Sequence, residues 1–308
     1  MKDSREIQTI PSQAESPRQW LTEYLRTRAH LASSGSDFHC DPACSRPGCK
    51  NQDLQVPVSI VDLVGAAMHR GESVSANYQG RYSLGLLSNE RDDWIRMVSL
   101  RLKKPCPFLE NDLCSIYPVR PLPCVLFPEY LVQAGTLAEN AGKDHFRDYL
   151  CLQHPILLSP DRLKVVAKLR RMWERESLIS SFYLFHHGPC HLDFSNLKAE
   201  LLQAASSLNE AESEEKPEPR RLIPNQVLEH FFLERIARCH PFAGVSEKIY
   251  HLNNPEGQEQ FLHLLQDDRL LQKLKQAGND RALVFRFAKG TLKAGRRSLL
   301  PSEYHFYG

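Results

Sequence analysis

Apolar and polar positions alternate along this chain in a way that separates a mixed N-terminal part from a helical C-terminal part. Trp20, Leu21, Tyr24 and Leu25 recur at helical spacing behind Ser16, a capping residue, and Pro17, which suits a first helical turn. A helix is therefore expected there, broken by Ser33, Ser34, Gly35 and Ser36. Phe38–Asp53 reads as loop, and Leu54–Val58 as a short strand. Ser59 and Asp62 form a capping-box-like start to a helix reaching about His69 on Ile60, Leu63, Val64 and Ala67. Alternation over Tyr78–Leu87 suggests strand or hairpin, and Trp94–Leu102 another strand.

Six prolines between 105 and 128 exclude a long regular helix in that segment, so something other than a backbone ladder must fix its path. Past Cys151 the period becomes helical. Ser159 and Pro160 open a helix with Leu163, Val166, Leu169 and Trp173 inward and its Arg and Lys residues outward. Further helices are expected over 194–208, 225–238 and 255–277, the last with Asn254 as cap and Pro255 at its first position. The charged, Pro-broken run Glu210–Arg221 reads as an exposed linker. The expected fold is mainly α with minor β (α+β). Its parts are an N-terminal helix within 1–37, a cysteine-rich, Pro-rich domain over 38–157 and a helical extension over 158–209. The linker 210–221 then leads to a helical region with a basic tail over 222–308.

Composition narrows the function classes. With 308 residues, 39 Lys+Arg against 37 Asp+Glu and a net charge of +2, the chain has material for a large core but no general polyanion-binding field. Six basic residues in the last 28 (Arg281, Arg286, Lys289, Lys293, Arg296, Arg297) read as a solvated face, so nucleic acid is not the expected partner. Mean hydropathy is −0.43, and no apolar run suits a membrane span. The first twenty residues lack the apolar core of a signal peptide, which makes the expected location cytoplasmic.

Seven of the nine cysteines lie between 40 and 151. In a reducing compartment grouped thiols serve better as metal ligands or redox groups than as disulfides, though isolated buried thiols are a further reading. Cys40-x3-Cys44-x4-Cys49 places three thiols within ten residues of loop, and Cys106-x7-Cys114-x9-Cys124 with Cys151 forms a second group. Together they supply seven thiols, enough for a tetrahedral S4 site or for a polynuclear one with bridging sulfurs. Thiolates accept both zinc and iron, including an iron–sulfur cluster, and the donor set does not separate them.

The segment PCPFLENDLCSIYPVRPLPCVLFP (105–128) resembles the cysteine-cluster family of zinc- or iron-chelating domains, whose hallmark is a CxxCxxCC-like group followed by C-x-x-L, C-x-I-Y-x-x-R-P-x-x-C and F-P. Cys106-Pro-Phe-Leu109, Cys114-Ser-Ile-Tyr117, Arg120-Pro121, Cys124 and Phe127-Pro128 match in order, with Cys151 in the place of a late cysteine. Phe38-His39-Cys40 and Val58–Leu63 also look like the family. The chain departs from the pattern at Cys49-Lys50, where the family has a Cys-Cys pair, and at Val125, where an Arg commonly follows the cysteine. One of eight usual ligands is thus missing, and His39 is a candidate to replace it. The resemblance implies a metal centre of zinc or iron. Arg120 and Tyr117 are either ordinary surface and packing residues or groups that support the thiolates from outside.

The resemblance extends to flagellin lysine-N-methylases, which carry the same cluster, and so implies an enzyme alternative acting on a protein substrate. The residues themselves show no Gly-rich S-adenosylmethionine loop after a first strand. Cys40-x3-Cys44-x4-Cys49 begins like a radical Cys-x3-Cys-x2-Cys motif but runs two residues longer. His186-His187-Gly188-Pro189-Cys190-His191 reads as a helix C-terminus with histidines near its negative end rather than as a second metal site. The leading expectation is a metal-stapled binding or structural module.

Overall fold

Ser16 caps the first helix, α1 (Pro17–Ser33), through its hydroxyl, which accepts from the Gln19 amide. The computed structural model describes residues 16–35, 43–52, 54–88, 95–135, 146, 148–153, 156–188, 190–193, 242–280, 282–288 and 291–297. The expected helices over 194–208 and 225–238 and the linker 210–221 lie outside them. In order follow α2 (Pro47–Lys50), β1 (Val56–Pro57), α3 (Ile60–Arg70), α4 (Val74–Arg81), β2 (Tyr82–Ser88), β3 (Ile95–Leu102), β4 (Leu109–Glu110), β5 (Leu113–Cys114), α5 (Leu122–Leu126) and α6 (Glu129–Gln133). The second half has α7 (Pro160–Phe185), β6 (Cys190–Asp193), α8 (Val245–His251), α9 (Pro255–Gln266), α10 (Asp268–Asp280), β7 (Ala282–Ala288) and β8 (Thr291–Arg297).

The fold is mainly helical with one mixed sheet and a small hairpin. β3 pairs antiparallel with β2 on one side and with β1 and β6 on the other; β6 runs parallel to β7, which turns back into β8. Val98, Leu100 and Leu102 of β3 and Cys190 and Leu192 of β6 face the core. There they join Ile60, Leu63, Val64, Val166, Leu169 and Ile179, each contributing roughly 1.5–3 kcal/mol of burial. The 26-residue α7 is the spine, packed by α1, α3, α5 and α6 from the N-terminal half and by α8, α9 and α10 from the C-terminal half.

Local differences from the sequence reading have physical causes. The alternation over 78–87 hides a helix, α4, capped by Ser73, which gives way to strand only at Tyr82. The helix expected over 255–277 is two helices. Asp267 breaks it with an extended backbone and its carboxylate accepts from the Arg269 and Leu270 amides, so it caps the second helix. From Val245 the described part of the C-terminal region is helical through Asp280, and its basic tail then supplies the hairpin β7–β8. The Arg and Lys residues of α7 do not all point outward. Arg162 and Arg175 are buried because each finds partners: Arg162 pairs with Glu129 and donates to the carbonyls of Leu31, Ala32 and Ser34, and Arg175 pairs with Asp268 and donates to the Leu265 carbonyl.

A third buried set joins α1, α3 and α7. Asp62 and Ser59 complete a capping box at the start of α3. The Arg28 guanidinium donates to Asp62 Oδ1 (2.7 Å) and to Glu176 Oε2 (2.9 Å). Tyr24 Oη donates to Glu176 Oε1 (2.8 Å), and Ser59 Oγ lies within hydrogen-bond distance of both carboxylates. One cation thus faces two carboxylates in a dry site. Burial, with Asp62 nearby, raises the Glu176 carboxyl to about 7 against the pull of Arg28. Between the ordinary carboxyl value and about 7 the folded protein then holds more protons at this site than the unfolded chain, so this group's contribution to stability falls as pH rises through that window. Denaturant unfolding of wild type and Glu176→Gln at intervals from pH 5 to pH 8 should show the wild type losing stability relative to the variant as pH rises. A constant difference across the range would contradict it.

Candidate metal centre

The segment that carries Cys106, Cys114 and Cys124 is built from turns. Cys106 follows the cis Lys104–Pro105 bond, and the chain reverses at Asn111-Asp112, both at positive φ (51° and 59°), to pair β4 with β5. Asn and Asp tolerate that backbone better than most residues. Leu109 is thereby set opposite Cys114. Phe108, Ile116, Leu122 and Leu126, all essentially fully buried, anchor the segment in the core. Cys124 sits in the short helix α5, whose first turn follows Pro121.

Two features clamp this segment to the rest of the fold. The Arg28 guanidinium donates to the Arg120 carbonyl (3.0 Å), and Asp62 Oδ1 accepts from the Leu122 amide (3.4 Å). Pro121 and Pro123 have no N–H, so Leu122 supplies the donor between them. The buried ion-pair set thus holds the arm that delivers Cys124. On the other side the loop carrying Cys44 and Cys49 is stitched to the β4–β5 hairpin. The Cys106 amide donates to the Cys49 carbonyl (2.7 Å), Arg46 donates to the carbonyls of Asp112 and Cys44 (3.2 Å each), and Lys50 pairs with Asp112 (2.7 Å).

The two cysteine groups therefore meet. The Cys49 and Cys106 thiols act on each other, which holds the Cys49 thiol up and the Cys106 thiol down. Cys49 also lies within electrostatic reach of Cys114 and Cys124, and Cys124 of Cys106 and Cys114. Burial raises the Cys114 thiol and pushes the Cys124 thiol up to about 12. Cys44, Cys49 and Cys151 lie within electrostatic reach of Tyr149, and Cys151 packs against the small cluster that holds it. All seven described cysteines are free thiols. Cys40 and the candidate His39 lie outside the described residues. Among the described residues, no three His, Cys, Asp or Glu side chains stand close enough to hold one ion. By chemistry alone, thiol donors suit a thiophilic metal such as zinc or iron.

Cations surround the thiols. Arg120 lies within reach of Cys114 and Cys124, with its guanidinium 4.3 Å over the centre of the exposed Tyr117 ring. Sequence reasoning singled out that pair but missed Lys104 and Arg46. Lys104 donates to the Gly48 carbonyl and its charge acts on Cys49, Cys106 and Cys124; Arg46 acts on Cys49. Their only signal is adjacency, since each stands within three residues of a cysteine. Several thiolates sharing one site would carry excess negative charge, and fixed cations lower its cost.

The His186–His191 patch is divided between a helix end and a strand, so His191 does not sit at the helix terminus expected for it. His186 takes a left-handed backbone (φ 55°) as the C-cap of α7, and Cys190, fully buried, is part of β6 in the sheet core. No described helix is long and apolar enough to cross a membrane.

This arrangement defines a cysteine-cluster domain. Residues 39–152, a little over a third of the chain, match the family model CxxCxxCC, described as "Putative zinc- or iron-chelating domain". No curated protein and no solved structure matches the chain, so neither comparison bears on the resemblance to flagellin lysine-N-methylases.

Proposed function

We propose that residues 39–152 fold around a thiolate-bound zinc or iron centre, and that the chain acts as a metal-stapled binding or structural module. Cys40, Cys44, Cys49, Cys106, Cys114, Cys124 and Cys151 are its ligands, with Arg120 and Tyr117 supporting them from outside. The observation that carries this reading is the junction of the two loops, where the Cys106 amide meets the Cys49 carbonyl and the thiols of Cys49, Cys106, Cys114 and Cys124 share one electrostatic neighbourhood. The free state of every described cysteine suits a reducing, cytoplasmic setting. Bound metal would cross-link a segment that has few backbone ladders, while zinc would add no redox chemistry and iron would. The helical remainder then serves as a platform for a protein partner. The methyl-transfer alternative gains no support from the described residues. Purification without air, followed by elemental analysis and a visible spectrum, tests the proposal. A colourless protein with stoichiometric zinc fits the closed module, and a brown, iron-loaded one moves the reading toward an iron–sulfur protein with redox or methyl-transfer chemistry. Only trace metal in well-folded protein would overturn it.

A further inference from the structure

Cys49 and Cys106 belong to different loops, yet their backbones touch: the Cys106 amide donates to the Cys49 carbonyl (2.7 Å). Backbones bonded in this way set their Cα atoms roughly 5–6 Å apart, inside the ~4.4–6.8 Å span that a disulfide bridges. The sulfurs are neighbours as well, since the strongest influence on each thiol, burial included, is the other. Both are free and half-buried, so a small solute can reach them. Lys104 completes the setting. It donates to the carbonyl of Gly48, the residue before Cys49, and its charge acts on both sulfurs. A cation beside partly exposed thiols marks cysteines that react rather than merely pack. Cys190, fully buried in β6, is the contrast.

We propose that Cys49 and Cys106 form a site of reversible oxidation, closed to a disulfide by hydrogen peroxide. One thiol of the pair, as thiolate, attacks the peroxide: an S–O bond forms, the O–O bond breaks, and the leaving hydroxide takes up the thiol's proton as water. The product is a sulfenic acid. The partner sulfur attacks it, an S–S bond forms, the S–O bond breaks, and a second water leaves with the partner's proton. Two electrons thus pass from the two sulfurs to one peroxide, and a dithiol reductant reverses the change by exchange. The bond ties the loop of α2 covalently to the segment leading into β4. It needs only the two sulfurs and does not rest on the metal-centre reading. Where a metal occupies them, oxidation expels it, because the thiolate and not the disulfide is the ligand.

The test uses the full-length chain as purified, freed of reductant and treated with a slight excess of hydrogen peroxide, with a chromophoric chelator present to read any metal released. Remaining thiols are blocked with iodoacetamide, and a non-reducing protease digest is read by mass spectrometry. A parallel sample is oxidised in concentrated urea. In the folded protein the peptide of Cys49 should be joined to that of Cys106, both thiols should be lost, and dithiothreitol should restore them. In urea, loop closure favours near neighbours, so pairs such as Cys44–Cys49 and Cys114–Cys124 should take over. Cys49→Ser should abolish the cross-link and leave Cys106 as a sulfenic acid trapped by dimedone; if that variant fails to fold, the comparison of folded and unfolded wild type still decides. Cys49 and Cys106 recovered alkylated, carried on to sulfinic acid, or paired with other cysteines in the folded chain would overturn the proposal whatever the metal content. A chain that carries no metal and still forms the bond would support it while counting against the metal centre, and release of metal in step with the bond would support both.

Discussion

Arg28→Met should destabilise the protein by roughly 3–5 kcal/mol, the scale seen when one partner of a buried ion pair is removed and its counter-charges stay behind. Arg28 is 3% exposed and is the cation that faces two buried carboxylates, Asp62 and Glu176. A methionine fills much of the same volume, so the loss is electrostatic rather than a cavity. Protonation of Glu176 relieves part of it, but Asp62 stays committed to the Ser59 amide and to the α3 cap. The same variant also frees the Arg120 carbonyl, so the arm that carries Cys124 should loosen. Arg28→Lys should fall between wild type and Met. An ammonium keeps the charge but cannot span Asp62, Glu176 and the Arg120 carbonyl with the fixed fork of a guanidinium. Denaturant unfolding at constant metal load measures all three. A Met variant within about 0.5 kcal/mol of wild type, the range of ordinary surface changes, would show that the set contributes little.

Much of this architecture is legible in the chain before any coordinates. The caps at Ser16, Ser59 and Ser159 and the prolines behind Ser16 and Ser159 start helices where expected, because capping is a local interaction. The buried ion pairs are written in the same pattern, though less openly. Arg28 continues the stripe of Leu21, Tyr24 and Leu25, and Glu176 continues that of Leu169 and Met172. A charge on an apolar stripe signals a buried partner, but nothing local says which one, since Tyr24 and Glu176 are 152 positions apart. The hairpin β7–β8 was hidden by its basic residues, which read as a solvated tail until a parallel pairing with β6 places them in a sheet. For the proposed metal centre, spacing points to the thiols because ligand chemistry depends on residue type. It does not point to Lys104 or Arg46, whose charges reach the thiols only because of where the fold brings them.

Cysteine substitutions should divide into two classes with opposite signatures. Cys106→Ser removes a thiol at the junction of the two loops, where its amide and sulfur both meet Cys49. A hydroxyl is a poor ligand for zinc or iron at neutral pH, so this variant should lose most of its metal. Structural zinc contributes on the order of 10 kcal/mol to folding, so the segment from 105 to 128 should lose cooperative melting and become sensitive to protease even where the helical remainder stays folded. Cys190→Ala, by contrast, deletes a sulfur that is fully buried between β3 and β7 and far from the other thiols in sequence. It should cost about 1–2 kcal/mol, as small buried deletions do, with metal content unchanged. Metal analysis beside limited proteolysis on both proteins separates the classes. If Cys106→Ser retained full metal and its resistance to protease, the two loops would be joined by their backbone bonds alone, and the thiols of this region would be packing residues rather than ligands.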